Sequence, residues 1–385
     1  MKQSWLKLLR GGLIVLGCVA LVGIGYGAGS LNQRFGSFAP FWQAWDIVHQ
    51  EYVTQPVDDT KLMQGAIGGM LNSLNDPFSS YMDPADYQLS TTTLSGQFEG
   101  IGAMLEPAGN YLRIVSPFPG SPAEKAGLQP GDVIVQVDGQ DVGSLGETQT
   151  IMRVRGPAGT TVHLSILRGN SQTPLEFDIV RAKITVPSVE SKMLDGNIAY
   201  VKLNDFGEST PAEMQTALTT LMAQKPAGLV LDLRGNPGGY VTTAIAVASQ
   251  FIPDGVIMRE RFSNGSEQTE QATPGGLALN VPLVVLVDKG SASASEIVAG
   301  AIQDRLRGKV LGATSYGKGS EQHVELLQGN NGAVRITTAH WLTPNGRTIQ
   351  GKGITPDVTV DRTADDVAAN RDPQLDAAVN LLLGK

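Results

Sequence analysis

The chain has 385 residues, 41% of them hydrophobic and 17% charged, with a formal net charge of -8. One hydrophobic core stops growing near about 250–300 residues, so two or three domains are predicted. The acidic balance, without a long basic run, excludes nucleic acid as a partner. The single cysteine, Cys18, excludes an intramolecular disulfide and, for the rest of the chain, a cysteine nucleophile or Cys-ligand zinc.

At the N-terminus, Lys2, Lys7 and Arg10 precede an apolar, Gly-interrupted run from Gly11 to Ala28. Its length of about 18 residues is at the lower edge for a membrane-spanning helix. Positive charge before the run orients the N-terminus toward the cytoplasm. Tyr26 spoils the small-x-small pattern at Ala28 that cleavage requires. The expectation over residues 1–29 is therefore an uncleaved anchor in the plasma (inner) membrane, with the rest of the chain extracytoplasmic. A cleaved signal, leaving a secreted or periplasmic protein, is the alternative. Val15-Leu16-Gly17-Cys18 is similar to a lipoprotein site, but the apolar run continues past Cys18.

Residues 30–96 are predicted helical. Phe41-Trp42-x-x-Trp45-x-x-Val48 and Leu62-x-x-x-Ala66-x-x-x-Met70-Leu71 carry helix-period apolar spacing, punctuated by Asn75-Asp76-Pro77 and Asp83-Pro84. The oligomer is not fixed; a homodimer through these helices is compatible with the pattern.

Over residues 97–182 the pattern shifts to short strands at Tyr111–Val115, Val133–Val137 and Val162–Ile166, separated by Gly and Pro turns. Short helices fit at Pro122–Ala126 and Leu145–Met152. This is a small β-barrel-like module.

From 183 to 361 strands alternate with helices: Ala199–Leu203, Pro211–Ala223, Leu229–Leu233, Thr242–Phe251, Pro282–Val287, Ala294–Leu306 and Val310–Thr314. Such alternation predicts a layered α/β core, to which residues 30–96 are expected to contribute. Sites in such cores gather where strands run into loops. Residues 362–385 form a tail, with a closing helix at Asp372–Leu383, Asp372 as its cap and Pro373 in the first turn.

Three loops concentrate the chemistry. In Val287-Asp288-Lys289-Gly290-Ser291-Ala292-Ser293-Ala294-Ser295-Glu296 an apolar strand ends, small residues turn the chain and a helix begins. Ser293 there is either a nucleophile at a helix N-terminus or a plain cap, since Ser293-x-x-Glu296 fits the capping box. In Tyr316-Gly317-Lys318-Gly319 the glycines permit a tight bend that turns Lys318 inward, and a desolvated lysine can be neutral enough to act as a base. An exposed turn lysine is the plainer reading. In Asp232-Leu233-Arg234-Gly235-Asn236-Pro237-Gly238-Gly239 backbone N–H groups can face a ligand oxygen, as they can in any βα turn.

Rival motifs fit less well. Gly312-x-x-x-x-Gly317-Lys318 lacks the Ser or Thr of a phosphate-binding loop, and no helix follows it. Ser315-x-x-Lys318 needs a helix that Gly317 opposes. His49 and His163 lie outside the core region. His323 and His340 lie within it, without a G-x-S-x-G or H-E-x-x-H context.

Together these segments resemble the carboxyl-terminal-processing (tail-specific) serine peptidases from about residue 41 to 360. The shared elements include Ser121-Pro122-Ala123, Asp232-Leu233-Arg234-x-Asn236-x-Gly238-Gly239, the Ser291–Glu296 run, Gly317-Lys318-Gly319 and Gly353-Ile354-x-Pro356-Asp357. The resemblance implies Ser293 as nucleophile, Lys318 as base and Gln322 as the residue orienting the lysine. It implies an oxyanion hole from the N–H groups of Gly239 and Ala294. It implies a PDZ domain over 97–182 that holds substrate C-terminal tails at Gly100, Ile101, Gly102 and Ala103. Arg155 is then expected to contact the peptidase core in the active state. No metal or cofactor is implied, and the partners are protein or peptide substrates. The expected fold class is a multidomain α+β and α/β chain: N-terminal helices, PDZ-like module, layered peptidase core. A tethered PDZ adaptor with an inactive core is the alternative function.

Overall fold

The computed structural model describes residues 36–169 and 171–385. The anchor expected over residues 1–29 lies outside them. Among the described residues no helix is long and apolar enough to cross a membrane.

Two compact units divide the chain between Ile67 and Gly68. In the first, residues 36–51 form a helix. The helix-period aromatics Phe41, Trp42 and Trp45 meet edge to face or tilted, with ring centroids 5.2–6.2 Å apart.

In the second unit, the α/β core is a six-stranded sheet ordered Val189–Leu194, Ile198–Leu203, Gly228–Asp232, Leu283–Val287, Lys309–Gly312 and Val358–Thr359. The first pair is antiparallel and the rest are parallel. Strands Gly228–Asp232 and Leu283–Val287 are buried along their whole length, which explains their unbroken apolar runs, since both sheet faces are covered. Leu229, Leu231, Val285 and Val287 pack with the helices Thr210–Met222, Val241–Ala248 and Ala294–Asp304. Val230, Val284 and Leu286 face Ala378 of the C-terminal helix Pro373–Leu382. Side chains alternate between sheet faces, so one strand serves two cores.

A second sheet lies beside it. Strand Ala333–Leu342 pairs along its length with Ser320–Leu326, and on its other edge with Ser80–Met82 and then Val256–Phe262. This corrects the helical reading of residues 30–96, because Ser80–Met82 is a strand held 250 residues away in sequence. Three residues are too few to show a period. The hairpin Val256–Phe262/Glu267–Gln271 also escapes the sequence, because Arg259, Glu260 and Arg261 interrupt its apolar pattern.

Residues 103–180 build a further sheet from Ala103–Ala108, Tyr111–Pro117, Val133–Val137, Gln140–Asp141, Thr161–Leu167 and Leu175–Val180. Its core includes Ile114, Ile134, Leu164 and Ile166, with Val154 from the helix Glu147–Val154. The predicted helix at Leu145–Met152 thus starts two residues later. Arg181 closes that helix: its guanidinium donates to the carbonyls of Val154 at 3.0 Å and Arg153 at 2.8 Å, supplying cationic donors at a helix C-terminus. Strands Gln97–Gly100 and Ala182–Thr185 pair at its entry and exit.

The C-terminal helix is fastened to the central strand by charge. Arg234 donates to Asp232 at 2.6 and 2.9 Å and to Asp372 at 2.8 and 2.9 Å. Asp372 in turn caps the helix by accepting from the Leu375 N–H at 3.1 Å. Asp232 is 2% exposed, so Arg234→Met leaves a carboxylate buried without its cation. The expected loss is about 3–5 kcal/mol, read as a lowered urea midpoint for that variant.

Candidate active site

Three loops leave the C-terminal ends of adjacent parallel strands and converge: 233–239 after Gly228–Asp232, 288–293 after Leu283–Val287, and 313–319 after Lys309–Gly312. Ligands collect at this edge of an α/β sheet.

Loops 233–239 and 288–293 are stitched by buried polar groups. The Asn236 side chain donates to the Leu203 carbonyl and accepts from the Gly238 N–H, both at 2.8 Å. Its carbonyl accepts from Ala292 N–H at 3.0 Å and from the Ser295 hydroxyl at 2.9 Å. The Ser291 hydroxyl donates to the Leu233 carbonyl at 2.8 Å. At Gly238 a Cβ would lie 2.8 Å from the Cβ of Ser293, so only glycine admits this approach.

Ser293 sits at the N-cap of the helix Ala294–Asp304 with φ 54° and ψ -114°. An L-residue there is strained by about 1–3 kcal/mol. Ser293 and Glu296 stand in the capping-box arrangement, and the Glu296 carboxylate accepts from the Ser293 N–H at 2.8 Å. The N–H of Glu296, however, donates to the Ser293 carbonyl at 2.8 Å, so the hydroxyl makes no cap hydrogen bond. The N–H groups of Ala294 and Gly239 have no acceptor among the described residues. Gly239 has φ 152°, and a Cβ there would meet the Phe206 carbonyl oxygen at 2.4 Å.

Glu296 is fully buried and reaches beyond its own turn. It accepts from the Ser315 hydroxyl at 2.5 Å, the Gly317 N–H at 2.7 Å and the Lys318 N–H at 2.9 Å. The Lys318 carbonyl accepts from the indole N–H of Trp341 at 3.1 Å. Lys318 is therefore on a fixed turn, not a loose surface bend. Burial, and then the nearby Arg335, push its amine below the ordinary lysine range against the pull of Glu296 and Asp76. The amine lies 5.2 Å from the centroid of the Phe78 ring. It makes no hydrogen bond to the Ser293 hydroxyl in this structure.

Ser293, Lys318, Gly239 and Gln322 line one cleft of about 280 Å³, together with Trp341. Gln322 follows an irregularity in the strand Ser320–Leu326. Its amide donates to Ser320 at 2.8 Å and Thr337 at 3.2 Å, not receiving the lysine. Neither His323 nor His340 lines the cleft.

A second, apolar cleft of about 360 Å³ lies between the strand from Ala103 and the helix Glu147–Val154. Ile101, Gly102, Ala103, Phe118, Ile151 and Arg155 line it. Gly100 does not; it pairs with Ala182 beside the Arg155 side chain. Arg155 is half-buried, lies 4.5 Å over the Phe98 ring and donates to the Thr92 hydroxyl at 2.7 Å. Two features around Lys318 are not legible as such in the sequence: the reach of Glu296 to the lysine turn, and Phe78. Asn75-Asp76-Pro77 was a punctuation signal only, and the following aromatic was the one available clue.

Residues 197–360 match peptidase family S41, residues 113–168 the PDZ domain, and residues 27–85 the N-terminal domain of the activating protease CtpB. Over 339 residues the chain is 41% identical to a carboxy-terminal-processing protease of Bartonella bacilliformis, spanning 86% of this chain and 76% of that one. The chain belongs to the carboxy-terminal-processing proteases of family S41. It is 39% identical over 317 residues to the carboxy-terminal processing protease CtpA of Bacillus subtilis, covering 82% of this chain and 67% of that protein. Among solved structures, the photosystem II D1 C-terminal processing protease superposes with a TM-score of 0.53 at 32% identity, covering 82% of this chain and 86% of that one. The protein is thus a serine-type peptidase, with a mixed α/β fold comprising a PDZ domain and an S41 core.

In this protease the buried Glu296 carboxylate meets four donors. Glu296→Gln presents an amide NH2 to some of them, leaving donors opposed. The expected loss is about 3 kcal/mol of stability, seen in thermal unfolding. Cleavage of an unfolded protein should fall about 100-fold as the serine and lysine turns drift apart.

Proposed function

We propose that the protease cleaves protein substrates by a Ser293–Lys318 dyad and selects them by their C-terminal tails. The observation that carries the reading is the convergence at one cleft of a strained serine, a desolvated lysine and two unengaged backbone N–H groups.

In this mechanism neutral Lys318 takes the Ser293 proton as the hydroxyl oxygen attacks the scissile carbonyl. The developing oxyanion accepts from the N–H groups of Ala294 and Gly239, each such donor supplying about 3 kcal/mol of barrier lowering. Lys318 then returns the proton to the leaving amine, and water, activated by the same amine, releases the acyl group from Ser293. Gln322 orients the lysine once its amide exchanges Ser320 and Thr337 for the amine. In the structure described here the serine and lysine are not hydrogen-bonded, which fits a resting form that closes on substrate.

The PDZ domain, over residues 97–182, receives the tail in its apolar cleft as a strand added to Ala103–Ala108, the terminal carboxylate meeting the loop at residues 100–103. Arg155 couples this cleft to the segment before it through Thr92 and Phe98. The peptidase core takes in residues 183–361 together with part of 30–96, with the tail helix packed beneath. An N-terminal anchor over 1–29 places this machinery on the extracytoplasmic side of the membrane.

Ser293→Ala and Lys318→Ala are each expected to abolish fragment formation from an unfolded protein while leaving the unfolding transition in place. The base works only when deprotonated. As its proton affinity is lowered in the fold, kcat/KM should rise with pH through that lowered value and level above it. A profile flat from about pH 5 to 9 would contradict a lysine base. A tail-binding signal without cleavage would instead mark an inactive adaptor.

A further inference from the structure

The segment Asp76–Ser79 lies outside the stretch that matches family S41, yet it is bound tightly to the strand beside the cleft. The Asp76 carboxylate accepts from the Ser79 hydroxyl at 2.5 Å, the Phe78 N–H at 3.1 Å and the Thr337 hydroxyl at 2.6 Å. The Arg335 side chain donates to the Phe78 carbonyl at 3.1 Å, and the Thr337 N–H donates to Ser79 at 3.0 Å. The backbone of Phe78 is thereby fixed at both its N–H and its carbonyl. Its half-buried ring is directed at the Lys318 amine, 5.2 Å from the centroid. That amine makes no hydrogen bond to any described residue, so the ring is its characterised neighbour on this side.

We propose that Phe78 is a positioning residue for the catalytic base: its ring walls the Lys318 amine from water, and the Asp76 brace holds that ring in place. The proposal rests on the reading of Lys318 as the base. The ring acts on the amine in two opposed ways. It removes water, which disfavours the ammonium form. Its π face attracts a cation, which favours that form. The charged groups that face the amine are Arg335 from the strand Ala333–Leu342, Glu296 from the helix Ala294–Asp304 and Asp76 from the brace. Glu321, on the strand Ser320–Leu326 that follows the lysine turn, lines the same cleft, and His340 acts on Asp76.

Two substitutions in the full chain separate the effects. Phe78→Ser opens the amine to water. The acid limb of the kcat/KM profile against an unfolded protein should move up by about one pH unit, so cleavage near neutral pH falls about tenfold and returns at higher pH. Phe78→Leu keeps the site dry without a π face. Its acid limb should move down by about half a unit. Acid limbs that stay at the wild-type position in both variants, or a loss that is the same at every pH, overturn the proposal. If Phe78→Ser does not fold, as judged by circular dichroism, the Leu variant decides alone, a downward limb supporting the proposal and an unmoved one overturning it. Lys318→Ala measured alongside separates the two readings. Residual activity with an unchanged limb in that variant removes the lysine base itself, whereas a dead Lys318→Ala with unmoved Phe78 limbs removes only the role of Phe78.

Discussion

The carboxylate of Glu296 is where the cleft lined by Ser293 and Lys318 is held together. It sits in the first turn of the helix Ala294–Asp304 and accepts from the N–H of Ser293 at one end and from Ser315, Gly317 and Lys318 at the other. Two loops from neighbouring strands are thus fixed to a single rigid group. A carboxylate with no exposure must be satisfied by good donors, because an uncompensated buried charge is costly. Four donors at 2.5–2.9 Å meet that demand, and their convergence in turn sets the path of both backbones. The capping box visible in the sequence is one half of this arrangement; the half that reaches the lysine turn is non-local.

The strain at Ser293 follows from the same constraint. With its N–H drawn to Glu296, the chain leaves the strand Leu283–Val287 through a positive φ before entering the helix. That geometry leaves the hydroxyl without a cap bond, and it leaves the N–H of Ala294 beside the Gly238 turn, where a Cβ would sit 3.0 Å from it. Loop 233–239 then matters less for its side chains than for its closeness. Asn236 folds the loop on itself, Gly238 keeps its backbone against the serine, and Gly239 lets it pass against Phe206. Strain of this kind persists only where surrounding bonds over-determine it, and here Asn236, Ser291, Ser295 and Glu296 supply them.

How much of this could be read from residues alone depends on distance along the chain. The inner parallel strands were legible because burial writes apolar runs, unbroken in Leu283–Val287, whereas the exposed edge strand Val358–Thr359 was not. The loops after them were legible through glycines and small residues, and the family resemblance turned Ser293 and Lys318 from a cap and a turn lysine into a dyad. Of the second sheet only the alternation His323-Val324-Glu325-Leu326, within Ser320–Leu326, reads as a strand. Its strand Val256–Phe262 carries charged residues within the ladder, and Ser80–Met82 is too short for a period. With the pairing of Ser80–Met82 to Ala333–Leu342 unseen, Phe78 had no reason to be near Lys318. The partner assigned to Gln322 by resemblance also depends on this sheet, where Thr337 and Ser320 now occupy its amide.

On the proposed mechanism Lys318 has to lose its proton although two carboxylates lie near it. Asp76 and Glu296 both pull the Lys318 amine toward its charged form. Each carboxylate, however, is already engaged: Glu296 by four donors and Asp76 by three. These bonds hold the loops, and neither carboxylate forms a salt bridge with the amine. What reaches Lys318 from them is the residual field alone, opposed by Arg335 and by the loss of water. The acids that build the cleft are thus spent on architecture, and the proposed mechanism uses the amine they leave without a hydrogen bond.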